Sequence, residues 1–149
     1  MLRKINARDI VLQVLAADAT TWVEVAGLNS VTVNPGENEE TADTTTYASQ
    51  GAYEQEVMQR GASLVLEGFL LKDDSTGVQD PGQARVEVVG AAVAEESVGQ
   101  VRFRHPVDTL WKVWNCTVSL AEQGGGNNDK TGWGATITRS GASTTMAVA

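Results

Sequence analysis

Cysteine and histidine are almost missing from this chain: Cys116 and His105 stand alone among 149 residues. One thiol permits no internal disulfide, and nothing implies an oxidising compartment. Two such ligands in total are too few for a zinc centre, which takes several His or Cys side chains. Long apolar runs are missing as well, since no window approaches the ~18–20 residues of a membrane-spanning helix. Arg3 and Lys4 ahead of the apolar Ile10–Leu15 superficially suggest an export signal. That run is too short, is entered by Arg8 and Asp9, and leads into the polar Asp18-Ala19-Thr20-Thr21. The expectation is a soluble protein made in a cytoplasm. Positive charge is scarce too: 11 bases face 19 acids, a net charge of −8. A duplex-coating nucleic-acid binder takes its affinity from Lys and Arg on phosphates, so that class is disfavoured.

What is present reads as one β-rich domain over residues 1–149, with 42% hydrophobic and 20% charged residues, an ordinary globular balance. Residues 9–16 and 22–33 are β-branched-rich runs around a hairpin turn at Asp18–Thr21. Gly27 interrupts the second run, which suggests a bulge or a close backbone approach, and Asn34-Pro35-Gly36 ends it. Residues 62–72 form a strand apolar on both faces: Leu64, Leu66 and Leu70 on one, Val65, Phe69 and Leu71 on the other. Such a strand needs cover on each side. Asp80-Pro81-Gly82-Gln83 has the form of a capping box opening a helix, with Val86, Val89 and Val93 as its core stripe. Gly90 and the β-branched run leave a strand at 84–89 as the competing reading. Strands follow at 100–105, at 110–122 with Trp114, Cys116, Val118 and Leu120 on one face, and at 131–139 with Trp133, Ala135 and Ile137 together. Residues 140–149 carry little apolar bulk and read as a frayed, flexible C-terminal arm. The fold class is mainly β: an antiparallel β-sandwich or partly closed barrel with one flanking α-helix.

Between the second and third strands lies the long polar segment 34–61, without strong helix or strand periodicity. A loop of that length in a compact domain is usually functional or disordered. Its acids Glu37, Glu39, Glu40 and Asp43 lack the spacing of a calcium loop, so a solvated acidic loop is the better reading.

Catalytic patterns fail one by one. His105 near Asp108 has no G-x-S-x-G elbow to accompany it, and a His closing a strand before Pro106 reads as structural. Gly124–Thr131 resembles a phosphate-binding loop, yet Asp129 stands where the second glycine is required and a strand follows instead of a helix. It reads as a flexible hairpin connection. Asn115-Cys116-Thr117 matches a glycosylation acceptor only inside a strand, and Cys116 reads as buried core. Arg102 and Arg104 project together from one strand face. They are candidate contacts to an acidic partner or neighbouring subunit, and equally an ordinary salt-bridged face. The chain reads as no enzyme, with no cofactor and no metal.

Three stretches together carry a resemblance. They are Trp22–Leu28, then Asp43-Thr44-Thr45-Thr46-Tyr47 with Gly51 and Glu54, then Arg60–Gly68. With the later Asp80–Gln83 helix start and Trp111–Asn115 ahead of a glycine-rich loop, they resemble the major tail tube proteins of long-tailed, siphovirus-like bacteriophages, particularly those of actinobacteria. The likeness spans roughly residues 5–140, and its specificity lies in the order and spacing of motifs that are each weak alone. The resemblance implies a structural virion protein in hexameric rings stacked into a tail tube, assembled in the host cytoplasm. It implies a tape measure protein, tail tip or baseplate and tail terminator as partners, with genomic DNA crossing the lumen without specific binding, and no membrane. It also implies that 34–61 is the assembly loop reaching an adjacent ring, through Asn34, Glu37, Glu39, Glu40, Asp43, Thr44, Thr45, Thr46 and Tyr47. Six copies at −8 each carry −48 per ring, which suits a conduit that must not hold DNA. Two alternatives remain: the inner tube of a contractile tail or injection machine, and a monomeric carbohydrate-binding or adhesin module using exposed tryptophans such as Trp22 and Trp111.

Overall fold

The computed structural model describes residues 1–148. Alternation sets the first hairpin: β1 (Val11–Leu15) buries Leu12 and Val14 and pairs with β2 (Trp22–Glu24). Asp18 closes the turn by accepting the Thr20 and Thr21 backbone N–H groups, each at 2.9 Å. The run 22–33, expected as one broken strand, is instead two strands in different places. β3 (Leu28–Asn34) leaves β2 behind and pairs with β6 (Ser63–Phe69). Gly27 makes this possible with φ +80, and a Cβ there would come within 2.7 Å of the Phe69 carbonyl oxygen.

The remaining strands are β4 (Glu40–Asp43), β5 (Gln55–Gln59), β7 (Gly99–Arg104), β8 (Leu110–Leu120), β9 (Gly132–Arg139) and β10 (Thr144–Ala147). The main sheet is antiparallel and runs β2-β1-β7-β8-β9-β6-β3, with β10 also on β8, while β4 and β5 pair only with each other. β2 and β3 are therefore its two outer strands, yet only the link Val25–Gly27 joins them. Four residue steps reach about 14 Å at ~3.5 Å each. A flat sheet of that width would set its edges roughly 29 Å apart at ~4.8 Å per strand. The sheet must curl, and it does so without hydrogen-bonding its edges: a mainly β antiparallel fold with one helix and an open barrel.

The curl encloses Leu12, Val14, Leu64, Leu66, Val101, Phe103, Trp114, Cys116, Trp133, Ala135 and Ile137. Phe103 and Trp114 meet edge to face, centroids 5.0 Å apart. α1 (Pro81–Ala91) packs on β8, β1 and β2 through buried Val86 and Val89, and the competing strand at 84–89 does not form. Its capping box is only half made. Asp80 accepts the Gln83 backbone N–H at 3.1 Å, but the Gln83 side chain turns away from the cap. Fully buried, it donates to the Ala26 and Phe69 carbonyls at 2.9 and 2.8 Å and accepts the Leu71 N–H at 3.1 Å. Gln83 thus pins the link between the sheet edges to the end of β6. The helix stops at Ala91, so Val93 is left exposed and drops out of the expected stripe.

One further expectation differs from the fold. Residues 140–149 include a strand, β10, which continues the line of β9 along the first half of β8. The outer face of β6, for which the sequence called for cover by a neighbour, leaves Val65 and Phe69 exposed among the described residues.

Candidate assembly surface

Segment 34–61 is a built ribbon, not a structureless loop. At its root Asn34 Oδ1 accepts the Gly36 N–H at 3.0 Å, and Glu37 accepts from Asn34 Nδ2 at 3.1 Å and Ser63 Oγ at 3.4 Å. Gln59 donates to the Asn38 carbonyl at 2.7 Å, and Arg60 pairs with Glu39 at 3.6 Å, the one ion pair among the described residues. Beyond the root, β4 and β5 pair with a register shift between Glu40 and Thr41. At the tip Asp43 accepts the Thr45 N–H at 2.9 Å, and hydrogen bonds from Thr45 hold its carboxyl below the usual carboxylate range. Thr44 N–H reaches the Glu54 carbonyl at 3.0 Å, while Thr45 Oγ1 accepts the Glu54 N–H at 2.9 Å. Thr46 and Ser49 cap a short 3₁₀ turn at Tyr47–Ser49, and Gln50 leaves it in the left-handed region.

The structure thus gives the expected assembly residues two kinds of work. Asn34, Glu37, Glu39, Asp43, Thr45 and Thr46 shape the ribbon itself, whereas the side chains of Glu40 and Tyr47 are exposed with no hydrogen-bond or ion-pair partner among the described residues. Sequence reasoning missed Tyr53, Val57 and Met58, which are also exposed on the ribbon. Their signal was Val57-Met58 set among polar residues, too short for a period. No residue of β5 is even partly buried. A two-stranded ribbon without a core is marginal in water, and this one buries neither face among the described residues. It carries six acids against the single base Arg60, −5 of the total −8.

Arg102 and Arg104 lie elsewhere, on the outer face of β7. The Arg102 guanidinium sits between the rings of Trp22 and Trp111, 4.5 and 4.3 Å from their centres. It also donates to Gln13 Oε1 at 2.7 Å and to Met146 Sδ at 3.1 Å, and desolvation lowers its pKa. Arg104 lies 5.0 Å over Trp111 and donates to the Pro106 carbonyl at 3.3 Å. Arg102 is committed inside the chain, holding β10 through Met146. Trp111 is buried beneath the pair, so it offers no open aromatic platform for a sugar.

The remaining candidates resolve structurally. Asp108 accepts the His105 backbone N–H at 3.0 Å, a turn contact. Burial pushes the Cys116 thiol up to about 12, leaving no thiolate at neutral pH. Asp129 accepts the Gly126 N–H at 2.8 Å within the β8–β9 connection, occupying the amide that a phosphate would need. Among the described residues no group of three or more His, Cys, Asp or Glu side chains could hold a metal ion, and no helix is long and apolar enough to cross a membrane.

No protein-family model matches the chain, and no curated protein matches it. Solved structures do. A chain from the tail of an empty gene transfer agent particle, refined with C6 symmetry, aligns at TM-score 0.72 and 20% identity over 95% of this chain and 98% of its own. A chain of the native gene transfer agent virion aligns at 0.65 and 22% identity over 95% and 98%. One from the six-fold symmetrised anti-feeding prophage baseplate aligns at 0.60 and 11% identity over 99% and 98%. The curled sheet, its helix and the protruding ribbon together make a fold found in six-fold tail assemblies.

Proposed function

We propose that this chain is the repeating structural subunit of a phage-type tail tube, forming hexameric rings that stack into a conduit for DNA. The observation that carries this reading is the full-length fold match, 95% of this chain on 98% of its counterpart, to a C6-symmetric tail. Two features of the chain support it. The ribbon has no core of its own, and Val65 and Phe69 on β6 lack the cover that a neighbouring subunit would supply.

The role is non-enzymatic, in a virion tail built in the host cytoplasm. Segment 34–61 makes the ring-to-ring contact, a tape measure protein fills the growing tube, and terminator and tip proteins close its ends. The surplus of acid lets DNA pass without adhering. The baseplate neighbour supports a second reading, an inner tube in an injection machine, which binding to a sheath protein would distinguish. Electron microscopy of the purified protein tests the common core: six-fold rings and tubes are expected. A strictly monomeric species at high concentration overturns it.

A further inference from the structure

Two arginines with no part in the assembly reading line one cavity. It measures roughly 450 Å³ and opens where the end of segment 34–61 meets the link from β9 to β10. Arg60 comes from that end of the ribbon, and Arg139 is the last residue of β9. The Arg139 guanidinium lies 5.8 Å from the centre of the Trp114 ring. Its Nε is buried without a hydrogen-bond partner, and no carboxylate stands at ion-pair distance among the described residues. Arg104 has a similar orphan Nε, but its Nη1 donates to the Pro106 carbonyl, whereas the Arg139 side chain makes no hydrogen bond at all. A buried donor without an acceptor is costly, and a native one calls for an explanation.

The rest of the wall offers donors as well. The backbone N–H groups of Gly61, Gly141 and Ala142 meet no acceptor among the described residues. No Asp or Glu lines the cavity. Glu39 reaches Arg60 from outside it at 3.6 Å, an exposed pair of small worth that leaves the other Arg60 nitrogens free. Glu37, at the same root, is taken by Asn34 and Ser63. A chain of net charge −8 thus concentrates positive charge at this one opening. Two guanidinium forks lining one space match a doubly charged oxyanion, which each can grip through parallel N–H donors.

We propose that this cavity binds a small free phosphate, either inorganic phosphate or a phosphate monoester, between Arg60 and Arg139. The adjoining ribbon carries −5 of the total −8, a field that repels a long polyanion far more than a small ion. The source is therefore a free ion and not the backbone of DNA. Every lining residue comes from one copy, so the site stands apart from the tube reading. The bound ion ties the end of the ribbon to the end of β9 and restrains the ribbon's root.

Phosphorus NMR of the purified chain tests the site. At an ionic strength held constant with NaCl, the inorganic phosphate line should broaden when protein is added, and amide exchange at Gly61, Gly141 and Ala142 should slow. Arg139→Gln removes a charged donor and should weaken phosphate binding on the order of tenfold or more. Arg60→Gln, at an exposed position, should do the same with the melting temperature unchanged, which separates a lost ligand from a lost fold. No broadening, or broadening that survives both variants, overturns the site. Exchange slowed equally by NaCl alone also overturns it, since that is screening and not a bound phosphate. A duplex oligonucleotide should leave the phosphate line as it was, and displacement of phosphate by the oligonucleotide overturns the free-ion assignment. These readouts need no rings, so their failure leaves the tube reading to its own test.

Discussion

Single side chains do unusually long-range work in this fold. Gln83 binds three backbone groups from β6 and the β2–β3 link at one fully buried point. Gln83→Leu leaves those groups unsatisfied and should cost about 3 kcal/mol, read from urea denaturation midpoints. Arg102 is the counterpart on the outer face. Arg102→Ala removes its stacking on two tryptophans, worth about 1–2 kcal/mol, and should raise hydrogen exchange at Thr144–Ala147. Asp18 and Asp73 are exposed, but hydrogen bonds from Thr20 and Thr21, and from Ser75 and Thr76, hold each carboxyl at about 2 against an ordinary 3.8. A depressed folded value stabilises above 3.8 and loses that contribution as pH falls through about 2. Melting temperature should therefore drop across that window, and Asp18→Asn with Asp73→Asn should flatten the drop.

At the scale of elements, what the sequence made legible was contrast between faces. Val101 and Phe103 against Arg102 and Arg104, or Trp133, Ala135 and Ile137 in step, each announced a strand because one side is buried and the other is not. Asp80-Pro81 announced the helix start through its cap, whereas nothing in Gly90–Val93 marked the stop. β4 and β5 bury neither face, so no period could reveal them. β10 is short and held by the open edge of β8 and by Arg102 on Met146, and both β8 and Arg102 are supplied from elsewhere in the chain. The same independence makes the ribbon separable. Replacing residues 38–59 by a short Gly/Ser linker should leave the body's melting temperature nearly unchanged while abolishing stacking. Removing β4 alone would strand β5. A replaced-ribbon variant that still forms tubes would remove 34–61 from assembly.

For the whole molecule, the acid surplus is concentrated in the ribbon, −5 of −8, while the strand faces carry mostly small polar and apolar groups. Assembled tubes should accordingly show no retention of duplex DNA in filter binding at near-physiological salt, since too few bases are available to displace counterions. Retention there would place a basic lining in the lumen and contradict the conduit.

The curl has one more consequence, and it concerns time. Gln13 and Arg102 meet from positions 89 apart, and the strands flanking them cannot pair until most of the chain is in place. The ribbon's strands are joined by residues 44–54, a far more local pairing. Hairpins close in about 1–10 μs, whereas sheets built on such distant pairings take milliseconds to seconds. Each new chain therefore samples its local pairings long before its body closes, and the slow closure of β1 on β7 sets the pace at which folded subunits become available.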